Sequence, residues 1–380
     1  MKAIYLDHAA TTPVHPQVVE AMTESLQTNF GNPSSVHFYG RKARQELDKA
    51  RAVAAKSINA SDRDIVFTSG GTEADNIAIT GVAMANRHNG KHIITTKIEH
   101  HATLHTVENL ERYGFEATYL DVNEHGVIEL EQVQRALRED TILVSIMMVN
   151  NETGVIQPIK EIGELLASHQ AYFHTDAVQA YGLLSIDVEA LDLDLLSVSS
   201  HKINGPKGLG FLYIHPDTTL QALQHGGEQE RKRRAGTENV AAITGFAAAI
   251  RLAQDERVSR VQQYQDYRDA FLQLLQENQV SYTINGEKSD RVPSIINVSF
   301  PGANVEAMLT NFDLSGVAAS SGSACTAGSV EPSHVLSAMY SENNACTTNS
   351  IRFSFGLANN MDNVKEAAEI VAKIVKRLTN

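Results

Sequence analysis

Tryptophan is missing from this chain of 380 residues, and only two cysteines occur, Cys325 and Cys346. Two thiols cannot form a disulfide framework, so the chain reads as one made for a reducing compartment. Basic residues are the scarcer charge: 32 Lys and Arg stand against 45 Asp and Glu, a net charge of −13. That deficit argues against sequence-independent nucleic-acid binding, which needs a positive surface to neutralise phosphates. Long apolar runs are also missing. The stretch from Ile146 to Val149 with its neighbours falls far short of the roughly 18 residues of a membrane span. Asp7 and His8 stand where a signal peptide needs an apolar segment. A cytoplasmic protein without membrane attachment is expected.

What is present is globular in composition, with 42% hydrophobic and 20% charged residues. At roughly 100–200 residues per domain, the length allows two or three domains. Segments of two periods alternate. DIVFTS (64–69), HIITT (92–96), FEATYLD, ILVSIMMV, AYFHTD and LDLLSVSS read as strands. Helical stretches such as EADNIAITGVAMANR and IKEIGELLASH lie between several of them. This order implies βαβ units around a mostly parallel, buried sheet, an α/β fold. The pattern changes near Val258. A long polar helix, the alternating strands IINVSF and SIRFSFG, and a final helix make an α+β block, so a boundary falls around 255–262.

Open α/β sheets bind ligands at the carboxyl ends of their strands. After DIVFTS come Gly70, Gly71, Thr72 and Glu73, which suit a phosphate at a helix N-terminus. A capping box of Thr72 with Asp75 fits the same residues. Asn150, Asn151 and Glu152 follow ILVSIMMV. Asp176, with Gln179 just beyond, follows AYFHT; it suits either a cationic heterocycle or the cap of a following helix. Ser199, Ser200, His201 and Lys202 follow LDLLSV. A lysine there can be desolvated and nucleophilic, whereas Lys207 reads as a solvated turn residue. His100, His101 and His105 cluster after HIITT. Without HExxH or CxxC, a ring-stacking or proton-shuttling histidine fits better than a metal site. The segment 319–329 has no bulky side chain, which makes Cys325 a candidate reactive thiol. Cys346 reads as incidental. In SIRFSFG, Arg352 points away from Ile351, Phe353 and Phe355. It suits a carboxylate or a surface ion pair. Arg231 to Arg234 read as a solvated basic loop, or as a run that reaches a phosphate or a partner.

In order, GGTE (70–73), EHH (99–101), NNETG (150–154), HTDAVQ (174–179), SSHKINGPKG (199–208), RAGTEN (234–239), SSGSACTAGSVEPSHVL (320–336) and SIRFSFG (350–356) resemble a pyridoxal-phosphate cysteine desulfurase of the NifS/IscS class. That class lies within the fold-type I, class-V aminotransferases. YLDHAATTP and FGNPSS are family-like too, and the resemblance covers essentially the whole chain. It implies a large cofactor domain (14–258), a smaller domain from both chain ends (1–13 plus 259–380), and a homodimer with shared sites.

Residue by residue, the resemblance implies that Lys202 bonds the cofactor. Asp176 would pair with its pyridine nitrogen, Gln179 with its ring oxygen, and His100 would stack on the ring and move protons. Gly71, Thr72, Ser199 and His201 would hold the phosphate, with Thr237 arriving from the other subunit. Asn151 and Arg352 would grip the carboxylate of L-cysteine. Cys325 would accept its sulfur as a persulfide and release L-alanine. Iron–sulfur scaffolds and tRNA-thiolating enzymes are the acceptors such a class serves. Two departures stand out: Ser200 where many relatives have Gly, and Val178 where Thr is common. Ser200 should be tolerated if its backbone angle is not positive. A selenocysteine lyase is the alternative on the same scaffold, and a non-catalytic sulfur relay or a metal-dependent hydrolase would be readings of other classes.

Overall fold

The structure, a computed structural model, describes residues 3–322 and 332–379. Cys325 lies outside the described residues. Twelve strands occur among them: β1 (Ile4–Tyr5), β2 (Ile65–Thr68), β3 (His92–Thr96), β4 (Glu116–Leu120), β5 (Thr141–Ser145), β6 (Tyr172–Asp176), β7 (Leu195–Ser199), β8 (Gly210–Ile214), β9 (Thr283–Ile284), β10 (Ile295–Ser299), β11 (Val317–Ala318) and β12 (Ser350–Ser354).

Seven of them form one sheet in the order β2-β8-β7-β6-β5-β3-β4. β8 runs antiparallel to both of its neighbours, and the remaining pairs are parallel. The mostly parallel α/β sheet expected from the alternating periods is therefore present. Every residue of β3, β5 and β7 is buried. Apolar side chains pack on both faces, Phe67, Val144 and Leu196 on one and Val66, Ile93 and Leu143 on the other. That is the sandwiching by helices that continuous apolar strands require. β4 is the edge, and it begins with the exposed Glu116, a charge that blunts edge pairing. The apolar run after β5 leaves strand geometry at Ser145. It still follows β6, because Met148 donates its N–H to the Asp176 carbonyl at 2.9 Å.

A second core gathers both chain ends. Ile4 and Leu6 pack with Phe271, Phe312, Phe353 and Phe355. The three-stranded antiparallel sheet β12-β10-β9 and the parallel pair β1-β11 support it. The helix Arg257–Glu277 reads as polar, yet it buries Tyr264, Tyr267, Phe271 and Leu275, a stripe three to four residues apart that faces this core. Phe353 lies 4.8 Å from Phe271, centroid to centroid. β12 thus turns Phe353 inward and leaves Arg352 on the side of the first sheet.

One local expectation holds only in part and another fails. Arg231 and Lys232 are exposed, as in a solvated basic loop, but the run is pinned to the protein. Arg234 pairs with Glu73 at 2.7 Å, and Arg231 donates to the carbonyls of Asp62 and Arg63. The reason is Glu230, which is buried against Arg51 in a bidentate pair at 2.7 Å and draws the segment onto the protein. Thr72 with Asp75 is not a capping box. Gly70 caps the helix Gly71–Asn86 without any side-chain bond, and Asp75 is buried. Among the described residues, no helix is long and apolar enough to cross a membrane.

Candidate active site

The carboxyl ends of β2, β3, β6 and β7 open on one side of the sheet, where a cavity of about 350 Å³ lies between the two cores. Gly71 and Thr72, after β2, line it, as do His100 after β3 and Asn151 beyond β5. Asp176 and Gln179 enter from β6, Ser199, His201 and Lys202 from β7, and Arg352 from β12. Ten of the residues picked from sequence therefore share one space. Thr237 does not: it is exposed, ahead of the helix Val240–Asp255, and does not line this chain's cavity.

The first wall is an open helix N-terminus. Gly70 takes φ 151°, ψ −176°, a region reserved for glycine. With no side-chain cap, the first N–H groups of Gly71–Asn86 are free to bind an anion. A Cβ on Gly71 would meet Val178 Cγ2 at 2.8 Å, so glycine is needed there for closeness.

Lys202 ends the turn after β7. Its ammonium donates to the carbonyls of Ala9 and Ala10, the latter at 2.9 Å. Burial pushes the amine down to about 8, with a further push from Arg352 against the pull of Asp176 and Asp7. The lysine is thus desolvated, as expected of a nucleophilic amine. Lys207 is exposed. Ser200, two residues before Lys202, has no positive φ, so a side chain is tolerated where glycine is common.

Asp176 begins no helix. One of its oxygens accepts the Val178 N–H at 2.8 Å, and burial raises its carboxyl to about 6 against the pull of that bond and of Lys202. His100 Nδ1 accepts the Ala102 N–H at 3.1 Å and so caps the helix His101–Glu111. That bond leaves Nε2 to carry the proton of the neutral ring. Burial first, then the charge of Lys202 and the neighbouring imidazoles, hold His100 down to about 4. His201 is held down to about 4 in the same way, by burial and then Lys202 and Lys207. His101 stacks on His105 at 4.9 Å and lies 4.8 Å from His334. No group of three or more His, Cys, Asp or Glu side chains among the described residues is arranged to hold a metal ion.

Arg352 is buried. It donates to the Asn151 carbonyl at 3.0 Å and to Asp7 at 2.9 Å, and its Nε has no bond. A guanidinium has five donors, so Arg352 keeps donors for an incoming anion. Asn151 Oδ1 is likewise buried without a partner.

Sequence reasoning gave four carboxylates no role at the site, although it named Asp75 as a cap and Glu152 at a strand end. Asp7 pairs with Arg352. Asp75 is fully buried beside the cavity, and Glu99 is fully buried under Met147. Burial raises Glu99 to about 8, opposed by bonds from Met147 and Thr96. Glu152 accepts from Ser333, and Gly322 lies against its carboxylate. For Glu99 and Glu152 the signal was the motif itself, EHH and NNETG, which place a carboxylate at a strand end.

A glycine-built anion site, a buried carboxylate, an acidified lysine and an arginine with spare donors describe a cofactor pocket, and comparison with known proteins says which. The class-V aminotransferase family model matches residues 4–366. A putative cysteine desulfurase IscS 1 of Bacillus subtilis is 57% identical over 379 residues, covering 100% of both chains.

The chain belongs to the class-V aminotransferases, as a cysteine desulfurase.

A solved NifS-like protein superposes with a TM-score of 0.91 at 33% identity, over 99% of this chain and 100% of that one. A structure titled SspA in complex with cysteine gives 0.79 at 35% identity, over 92% and 98%. The desulfurase resemblance and the fold-type I expectation hold, and the lyase alternative is not favoured. Desulfurases of this family depend on pyridoxal phosphate. The pocket fits that group: the uncapped N-terminus of Gly71–Asn86 suits its phosphate, and the orphaned Asn151 Oδ1 and the buried Asp176 suit its ring.

Proposed function

We propose that this desulfurase converts L-cysteine to L-alanine while Cys325 takes the sulfur as a persulfide. The balance is complete: the substrate's C–S bond breaks, an S–S bond forms at Cys325, and the thiol proton of Cys325 replaces sulfur on the carbon. The observation that carries the reading is the placement of Lys202, Asp176 and Arg352 around one cavity.

When bound, pyridoxal phosphate supplies an electron sink for bonds at the substrate's α carbon. In this reading Lys202 holds it, Asp176 and Gln179 orient its ring, and Gly71, Thr72, Ser199 and His201 hold its phosphate. His100, with its proton on Nε2, lies over the pocket as stacking group and proton carrier. Arg352 and Asn151 orient the substrate's carboxylate. Residues 14–258 form the cofactor domain, and 1–13 plus 259–380 carry the cysteine segment; the second core, drawn from both chain ends, supports that division, while Val292, Ile295, Val335, Leu336 and Met339 pack into the first.

A homodimer is part of the proposal, because Thr237 lies outside this chain's cavity and would complete a second copy's phosphate site. The acceptors proposed are iron–sulfur scaffolds, in keeping with the IscS relatives, and tRNA-thiolating enzymes, in a cytoplasmic setting. The test is alanine formation from L-cysteine, with size determination in parallel. Wild type should make alanine as a dimer, and Lys202→Ala should make none. A monomer with full activity would remove Thr237 from the site.

A further inference from the structure

Glu152 is a buried carboxylate to which the reaction scheme gives no task. It follows Asn151 beyond β5, is fully buried, and borders the cavity. Asn150 Oδ1 accepts its N–H at 2.9 Å, which fixes its backbone. Its Oε2 accepts the Ser333 hydroxyl. The Ser333 oxygen in turn accepts the Leu336 N–H at 3.1 Å and caps the helix His334–Tyr340. On the other side, Gly322 packs against the same carboxylate: a Cβ there would stand 1.8 Å from Oε2 and 2.7 Å from Oε1. Residues 323–332, Cys325 among them, run from Gly322 to Ser333. One side chain therefore touches both flanks of the segment that carries Cys325.

The flanks are also tied to the residues read above as the grip on the substrate's carboxylate. Two residues before Gly322, Ser320 exchanges backbone bonds with Arg352. The Arg352 N–H donates to the Ser320 carbonyl at 2.7 Å, and the Ser320 N–H donates to the Arg352 carbonyl at 3.3 Å. The Arg352 guanidinium donates to the carbonyl of Asn151, directly before Glu152. Both flanks, Asn151 and Arg352 thus form one bonded frame. Stability alone does not explain a carboxylate at its centre. Among the described residues Glu152 Oε1 is buried without a partner, and Ser333 is the one side chain that donates to Oε2. A buried carboxylate so sparsely satisfied costs stability that a neutral side chain of the same volume would not. Gly322 has no positive φ, so its glycine supplies closeness to the carboxylate rather than a special backbone angle.

We propose that Glu152 is a positioning residue for sulfur transfer, a single carboxylate that seats both flanks of the Cys325 segment, Gly322 and Ser333, against the wall formed by Asn151 and Arg352. This rests on the reading of Cys325 as sulfur acceptor given above. The C–S bond broken and the S–S bond formed are those of that reading, and Glu152 itself gains and loses no proton in the step. Its use follows from the geometry of transfer. Two sulfur atoms must meet in line, and a misplacement of about 1 Å costs about a hundredfold in rate. Bonding the flanks to the residues that hold the substrate puts both reactants in one frame.

The test follows a single turnover of the holoenzyme, in which the persulfide on Cys325 is quenched and weighed against time across L-cysteine concentration. Glu152→Ala should slow its formation about tenfold or more, the worth of a hydrogen bond to a charged group, and leave the half-saturating L-cysteine concentration within about twofold. Glu152→Gln keeps an oxygen for Ser333 and should stay within about threefold of wild type. Hydrogen exchange supplies a reading apart from activity: in Glu152→Ala the amides of 320–322 and of 333–336 should both exchange about tenfold faster. Unchanged exchange at either flank would overturn the proposal. So would faster exchange with an unchanged single-turnover rate, since Glu152 would then serve stability alone. Should Glu152→Ala not fold, Ser333→Ala removes the same bond and is read by the same two measurements. If Cys325→Ser makes alanine at the wild-type rate, the reading of Cys325 fails, and exchange at the two flanks alone still decides whether Glu152 seats them.

Discussion

The Arg352 guanidinium and the Asp7 carboxylate meet at 2.9 Å although 345 residues separate them. The pair ties the first strand segment to β12 and aims an arginine from the second core into the cavity of the first. Ser354, two residues on, accepts the Ala9 N–H at 2.8 Å. The carbonyls of Ala9 and Ala10 receive Lys202. Both chain ends thus take part in holding the reactive lysine.

Arg352→Lys keeps the charge and loses the planar fork. We expect the KM for L-cysteine to rise about tenfold or more, the worth of a charged hydrogen bond, with a smaller effect on kcat. Steady-state kinetics across cysteine concentration tests this. An unchanged KM would place the substrate's carboxylate elsewhere.

The pH at which Lys202 captures the cofactor follows from its burial. Its folded pKa, about 8, lies below the ordinary lysine value. The reactive neutral amine therefore accumulates as pH rises through about 8, not above 10. The rate at which pyridoxal phosphate attaches to the cofactor-free protein should climb with pH to a plateau just above that value. A climb continuing past pH 10 would mean a solvated lysine.

Gly71 has no unusual backbone angle. Its substitution by alanine acts only through the contact at 2.8 Å with Val178. Gly71→Ala should weaken cofactor binding, and the double variant Gly71→Ala with Val178→Ala should recover part of the loss. Fluorescence titration with pyridoxal phosphate measures both. Additive losses would show that the contact is not the cause.

Much of this was legible in the chain and some was not, for physical reasons. Strands β3, β5 and β7 announce themselves as apolar runs because both faces are covered. Residues at strand ends fall into the cavity because the parallel sheet puts those ends together. Asp7 was unreadable, since its partner is far away in sequence. Asp75 was misread because a carboxylate three residues after a threonine reads as a capping box. Here the glycine N-terminus is left open, and the same carboxylate turns inward. The basic run 231–234 misled for a similar reason: one buried residue, Glu230, decides where its neighbours go.

Glu230 also carries a stability prediction. Its carboxylate accepts from both terminal Arg51 nitrogens, Nη1 and Nη2, and from the Phe67 N–H, all buried. Glu230→Ala leaves Arg51 charged and unpaired inside the protein, at a cost of about 3–5 kcal/mol. Urea unfolding should show a large drop in midpoint, and a change under about 1 kcal/mol would mean that Arg51 finds water.

The central claim is sulfur transfer to Cys325, and mass measurement tests it most directly. The holoenzyme is incubated with L-cysteine, digested without reductant, and the Cys325 peptide is weighed. The account predicts one added sulfur atom on that peptide, with alanine in solution, and no alanine from Cys325→Ser. Unmodified Cys325 in the wild type, together with undiminished alanine production by Cys325→Ser, would contradict it.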